Sequence, residues 1–317
     1  MSQPKEILLH VGHGKTGTSF LQSVLAASSD ALHFRQICYP ISNTDRERAA
    51  KGLTTSGNLS NGENSWDKML MQADDIAGMS LLVSNENLFQ RLFDTIAEDI
   101  STRHPGVPVS VLLFVRNPLE NVAASYSQAV KSGNLALAFE YALNNPHNDN
   151  ISRAIKFAEA CKRANFKLTV RNYSYERNRL LTHLSDWLCQ PESTFVLPPV
   201  RVVNRSLDSA ELEIQRAMNK YLPVDGAFLA QTMSARLPPA ANSKPKASRE
   251  ALETYSEEIG ERIKKGNAYF GRELYYEEDI EPYVEGPQDK QICLSREQLD
   301  VMMETMAARL RMLSRSS

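Results

Sequence analysis

Cysteine is scarce in this chain: four in 317 residues, at 38, 161, 189 and 293, with no C-x-x-C pair and no metal-ligand spacing. So few thiols in a long chain argue against a disulfide framework, and no metal site is expected. Long apolar runs are missing too, since none approaches the roughly 20 residues of a membrane span. The start, MSQPKEILLHVGHG, enters an apolar run without a basic leader followed by a long apolar stretch. A soluble, reducing, cytoplasmic setting is therefore expected. An excess of one charge is also absent: 36 Lys and Arg against 38 Asp and Glu leave a formal net charge of -2. That balance offers no overall attraction to nucleic acid or to an anionic membrane, so any anion must meet local positive charge. No internal repeat is visible. What the chain does have is 42% hydrophobic residues, enough to bury a large core.

The apolar runs are short and punctuated. Ile7 to Val11 ends in the turn Gly12-His13-Gly14 and leads into helical spacing from Thr18 to Leu25. Leu81 to Val83 reads as a second strand with a helix from about Leu88 to Ile100, and VSVLLFV at 109–115 as a strand covered on both faces. Helical patterns at 119–131 and 151–164 precede a fourth strand at 167–170, and a further helix ends near Cys189. Strands alternating with helices predict an α/β fold of three αβα layers about a parallel sheet. In such folds ligands bind beyond the strand ends, which directs attention to the loops beginning at Gly12, Ser84 and Arg116.

Three stretches differ in composition. Segment 42–66, rich in Gly, Asn, Ser and Thr, predicts a long polar loop, either plain surface or a substrate lid. Segment 238–248 (PPAANSKPKAS) reads as a linker. From Ser295 onward, Ser295 and Gln298 form a capping-box pattern before the stripe Leu299, Met302, Met303, Met306, Leu310, Leu313, which is expected to pack on the same chain. The expected organisation is one main domain over 1–285 and a helical extension over 286–317.

Gly12-His13-Gly14-Lys15-Thr16-Gly17-Thr18-Ser19 joins a strand to a helix, where backbone N–H groups and the helix N-terminus converge on an anion. The glycines allow close backbone approach. Thr16, Thr18 and Ser19 add hydroxyls, and Lys15 adds a mobile charge. The NTPase register of such loops fails here by one residue. In the G-x-x-x-x-G-K register the first position holds Leu9, and no aspartate closes the 109–115 run.

The wording HVGHGKTGTSFLQ resembles the 5′-phosphosulfate loop of the sulfotransferases that use 3′-phosphoadenosine 5′-phosphosulfate (PAPS), above all the bacterial members. The resemblance implies that Lys15 lies beside the bridging oxygen between phosphate and sulfate. It implies that Gly17, Thr18 and Ser19 hold the 5′-phosphate, with Gly14 and Thr16 in the same cofactor-binding loop. Arg116-Asn117-Pro118, followed by a helical serine, is similar to the family's 3′-phosphate site and implies Arg116 and Ser125. The family serine falls eight residues after the arginine, where this chain has Ala124, one place before Ser125. Arg272, in the run 266–272, falls where the family carries a late loop over the nucleotide.

Ser84-Asn85-Glu86 follows a strand, and the family places a histidine or glutamate base there, so Glu86 is the candidate base; capping of the next helix is its plainer role. His13, beside Lys15, is the rival imidazole. The implied activity is sulfuryl transfer from PAPS, with adenosine 3′,5′-bisphosphate (PAP) as product, to a hydroxyl or amine on a small-molecule or carbohydrate acceptor. Two other classes stay open: a P-loop nucleotide kinase or NTPase, which shares the fold, and a non-catalytic nucleotide-binding interaction protein. Oligomeric state is open, a homo-oligomer included.

Overall fold

The computed structural model describes residues 3–51, 57–59, 65–71, 76–89, 93–145, 149–198, 205–222, 226–238 and 244–316. The chain begins β1 (Glu6–Gly12), α1 (Thr18–Ala27), α2 (Ser29–Phe34), β2 (Ile37–Cys38), α3 (Asn43–Ala50), α4 (Ser65–Leu70), β3 (Ser80–Ser84). A single 3-10 turn (Glu86–Phe89) leads to α5 (Phe93–Arg103), β4 (Val109–Val115), α6 (Pro118–Lys131), α7 (Phe139–Leu143) and α8 (Asn150–Arg163). Then come β5 (Lys167–Asn172), α9 (Tyr173–Glu176), α10 (Leu180–Leu188), α11 (Ser209–Tyr221), α12 (Ala227–Arg236), α13 (Arg249–Phe270) and α14 (Arg296–Ser316). These elements fall into two units, Met1–Asn117, Asn150–Val203, Lys265–Tyr275 and Pro118–Asp149, Asn204–Lys264, Tyr276–Ser317.

All five strands belong to the first unit and form a parallel sheet in the order β2-β3-β1-β4-β5. Helices flank the sheet, giving the α/β three-layer architecture. The continuous apolar runs explain why: a strand buried on both faces has no polar side to turn to water. On one face Leu21, Val24 and Leu25 of α1 and Leu184 of α10 pack against Leu112 and Phe114 of β4. β1 lies between β3 and β4, pairing His10 with Ser84 and Gly12 with Phe114. The chain leaves β1 toward β2 and β3, then crosses to β4, so β1 sits at the point where the winding reverses. The loops after β1, β3 and β4 therefore emerge side by side, with strand spacings of about 4.8 Å.

The segment 42–66 is not a continuous loop. Ser42 caps α3 by accepting the Asp45 N–H at 3.1 Å, and Gly57–Leu59 docks on β3 as described below; 52–56 and 60–64 lie outside the described residues. Of the linker-like 238–248, the part 239–243 lies outside them as well. Near its end Ala247 donates to the Tyr283 carbonyl at 3.0 Å and accepts from Glu285 N–H at 2.8 Å.

In the second unit, the capping box at α14 forms: Ser295 N–H donates to Gln298 Oε1 at 2.8 Å and Gln298 N–H to Ser295 Oγ at 3.1 Å. Its apolar stripe divides. Met302 is buried, whereas Leu299, Met303 and Leu310 are exposed, because α14 packs on α12 through a neighbouring face that includes Val301. Ser206 and Leu207 precede α11, and Arg205 beside them forms a buried ion pair with Glu211, at 2.6 and 3.0 Å. Gln298 donates to Glu211 at 2.8 Å and to Asp208 at 2.5 Å, binding α14 to the start of α11. Among the described residues no helix is long and apolar enough to cross a membrane.

Candidate functional site

The strand-to-helix loop in the first unit has an unusual backbone. Gly14, Lys15 and Gly17 take φ of 38°, 62° and 76°. A left-handed conformation is uncommon for a residue with a side chain and tends to persist where function requires it, so Lys15 stands out. Two glycines are sterically obligatory. A Cβ on Gly12 would collide with the Thr16 and Thr18 side chains, and one on Gly17 would meet Leu180 Cδ1 at 2.6 Å and Tyr173 Cε2 at 3.0 Å.

Gly17 is the N-cap of α1, and no side chain caps that end, nor does an acidic residue occupy its first turn. The positive end of the helix dipole can therefore meet an external anion. Thr16 points to one independently. Its side chain is fully buried, and Oγ1 has no hydrogen-bond partner among the described residues. A buried orphan hydroxyl costs about 1–3 kcal/mol. Thr18 is buried, while Gly14, Lys15 and Ser19 are half-buried.

Arg116, just past β4, is bound to this loop. Its Nη1 donates to the Lys15 carbonyl at 2.9 Å, its N–H donates to His13 Nε2 at 2.8 Å, and its guanidinium lies 5.1 Å from the Tyr173 ring centroid. Arg116 and the Lys15 loop are therefore in direct contact. His13 is buried, with its ring 5.2 Å from that of Phe89. Burial first of all, together with the nearby Arg116 and Arg153 charges, pulls its pKa down to about 4 against the backbone hydrogen bonds that favour the cation. The imidazole is neutral near pH 7, and the Nε2 lone pair is already engaged by Arg116.

β3 delivers Ser84-Asn85-Glu86 to the same edge. The backbone of Glu86 opens the 3-10 turn; its side chain lies outside what the structure describes. Sequence reasoning missed Asn58, which holds this strand end. β2 pairs with β3 only at Ser80 and Leu81, so the last residues of β3 lack a neighbour there. Asn58 replaces it: Nδ2 donates to the Leu82 carbonyl at 2.9 Å, Oδ1 accepts Ser84 N–H at 2.8 Å, and its own N–H donates to the Ser84 carbonyl at 3.2 Å. One asparagine in a polar segment carries no signal for such a role. On β1, His10 Nδ1 lies 2.7 Å from Ser84 Oγ and its Nε2 has no partner among the described residues. Burial lowers the His10 pKa to about 4.

Arg272 is exposed and donates through Nη2 to the carbonyl of Val170 within β5. Ser125 lies on α6 in the second unit and is half-buried. In that unit the N-terminus of α6 is filled by an internal carboxylate, with Leu119 and Glu120 N–H donating to Glu278 at 2.7 and 2.8 Å. The first unit thus brings together the Lys15 loop, His13, Arg116 and the backbone leading into Glu86. This arrangement can grip an anionic ester through backbone donors, a hydroxyl and two cations. The chain matches no known protein-family model and no curated protein.

Proposed function

We propose that this chain transfers a sulfuryl group from PAPS to a hydroxyl or amine of a small-molecule or carbohydrate acceptor. The observation that carries the reading is the loop at an uncapped helix N-terminus, with Lys15 held at positive φ and the Thr16 hydroxyl buried without a partner. A phosphate seated there would supply what that hydroxyl lacks and meet the helix dipole. The sequence HVGHGKTGTSFLQ, with its likeness to the family's phosphosulfate loop, selects a phosphosulfate over other phosphate esters.

The nucleotide supplies the sulfuryl group. In this reading Gly14, Thr16, Gly17, Thr18 and Ser19 hold its 5′-phosphate, Lys15 offsets charge gathering on the departing phosphate, and Arg116 and Arg272 take the rest of its anionic charge. Glu86 accepts the proton of the acceptor group. A reducing cytoplasmic compartment fits the four cysteines, all free thiols.

The test is incubation with sulfur-labelled PAPS and fractionated host metabolites. Label should enter one acceptor fraction, and Glu86→Gln should slow its entry while PAP binding persists. A larger thermal shift with ATP and magnesium than with PAP would instead favour a kinase or hydrolase.

A further inference from the structure

We propose that His13 is a positioning residue: its imidazole accepts the Arg116 N–H where the β1–β4 ladder ends and thereby fixes Arg116 against the Lys15 loop. The inference rests on the nucleotide-binding reading for its purpose, although the clamp itself is a property of the free chain.

In a parallel ladder every second residue donates to one residue of the adjacent strand and accepts from the residue two further along. His13 N–H still donates to the Phe114 carbonyl, at 3.4 Å. The next rung would be Arg116 N–H to the His13 carbonyl. The chain turns away at Gly14, whose φ is 38°. Nε2 of His13 receives Arg116 N–H at 2.8 Å. Arg116 returns the contact through Nη1 to the Lys15 carbonyl at 2.9 Å, so residues 13–15 and 116 are joined at two points. The other side of the imidazole reaches the third loop, with Phe89 of the 3-10 turn 5.2 Å away and Phe157 of α8 5.6 Å beyond it.

Only 3% of His13 is exposed, so an isolated solvent contact does not explain its polarity. An Nε2 that accepts an N–H carries no proton, which places the single proton of the neutral ring on Nδ1. One side chain therefore touches the loops after β1, β3 and β4, and its hydrogen bond sets where the Arg116 guanidinium begins.

Glutamine and asparagine separate this role from simple filling of space. His13→Gln carries an amide oxygen at the reach of Nε2, whereas His13→Asn stops at the reach of Nδ1. Both are measured for PAP affinity by calorimetry, for exchange of the Arg116 amide by NMR and for thermal midpoint. We expect His13→Gln to bind within about threefold of the parent chain and His13→Asn to bind about tenfold or more weakly, with Arg116 exchange accelerated only in the latter. Parent-like affinity and protection in His13→Asn would overturn the proposal, as would equal losses in both variants at matched thermal midpoints. If the parent chain itself does not bind PAP, the sulfuryl-transfer reading fails, and Arg116 exchange alone decides: faster in His13→Asn than in His13→Gln upholds the clamp, and no difference refutes it.

Discussion

The guanidinium of Arg116 donates to the carbonyl of Lys15 at 2.9 Å, joining the two cationic features of the first unit across neighbouring strand ends. Arg116 thus braces the backbone of the loop whose lysine it accompanies. The spacing of the two backbones is set by the sheet, because β1 and β4 are paired up to Gly12 and Phe114. A ligand bridging them would meet donors already in place, which lowers the cost of ordering on binding.

The orphan hydroxyl of Thr16 separates stability from binding. Thr16→Val keeps the shape and removes a buried donor that has no partner among the described residues. Replacing an unsatisfied polar group by an apolar one of like shape is neutral or stabilising. The thermal midpoint should stay level or rise, while PAP affinity falls by about 1–1.5 kcal/mol, roughly tenfold. Thermal unfolding and calorimetry on the same variant check both halves.

Acid should weaken the fold through two histidines. The pKa values of His10 and His13 are lowered to about 4 by burial, from about 6.5 in an unfolded chain. The unfolded state then binds more protons between those values, so stability is complete above about pH 6.5 and is lost as pH falls toward 4. Each histidine contributes on the order of 3 kcal/mol across that window. Urea midpoints at steps from pH 7.5 to 4.5 should fall, and His13→Gln should fall less steeply than the parent chain.

The second unit offers a test of its own. Arg205 and Glu211 form a two-bond ion pair with 8% and 0% of their surfaces exposed. Burial pushes the Glu211 carboxyl upward, but Arg205, Gln298 and the Asp208 amide outweigh it and hold the pKa below the usual range. Arg205→Met strands a buried charge and should cost about 3–5 kcal/mol, whereas adding Glu211→Leu should restore much of the loss. Chemical denaturation of the single and double variants measures the difference.

How much of this was legible depended on the range of the interaction. VSVLLFV announced β4 at its observed bounds, Val109–Val115, because a strand buried on both faces leaves an unbroken apolar run. The loop at Lys15 was legible for a similar reason, since its glycines and hydroxyls are adjacent in sequence. β2, only Ile37–Cys38, is too short to show a period. The cap that opens α3 is written in Ser42 and Asp45, yet the polar composition of 42–66 masks it. Long-range polar contacts left no trace. Neither Asn58 completing the edge of β3 nor His13 accepting from Arg116 follows from local sequence, because each joins residues that only the sheet order brings together. The exposed side of the α14 stripe was also hidden, since periodicity shows that a face is apolar but not which part of it is covered.

The most direct measurement is a calorimetric titration of the parent chain and Lys15→Ala with PAP, with ATP and magnesium in parallel. The account predicts saturable one-site binding of PAP, weakened at least about tenfold in Lys15→Ala, and weaker binding of ATP. Absence of PAP binding, or equal affinity in the two proteins, would contradict it.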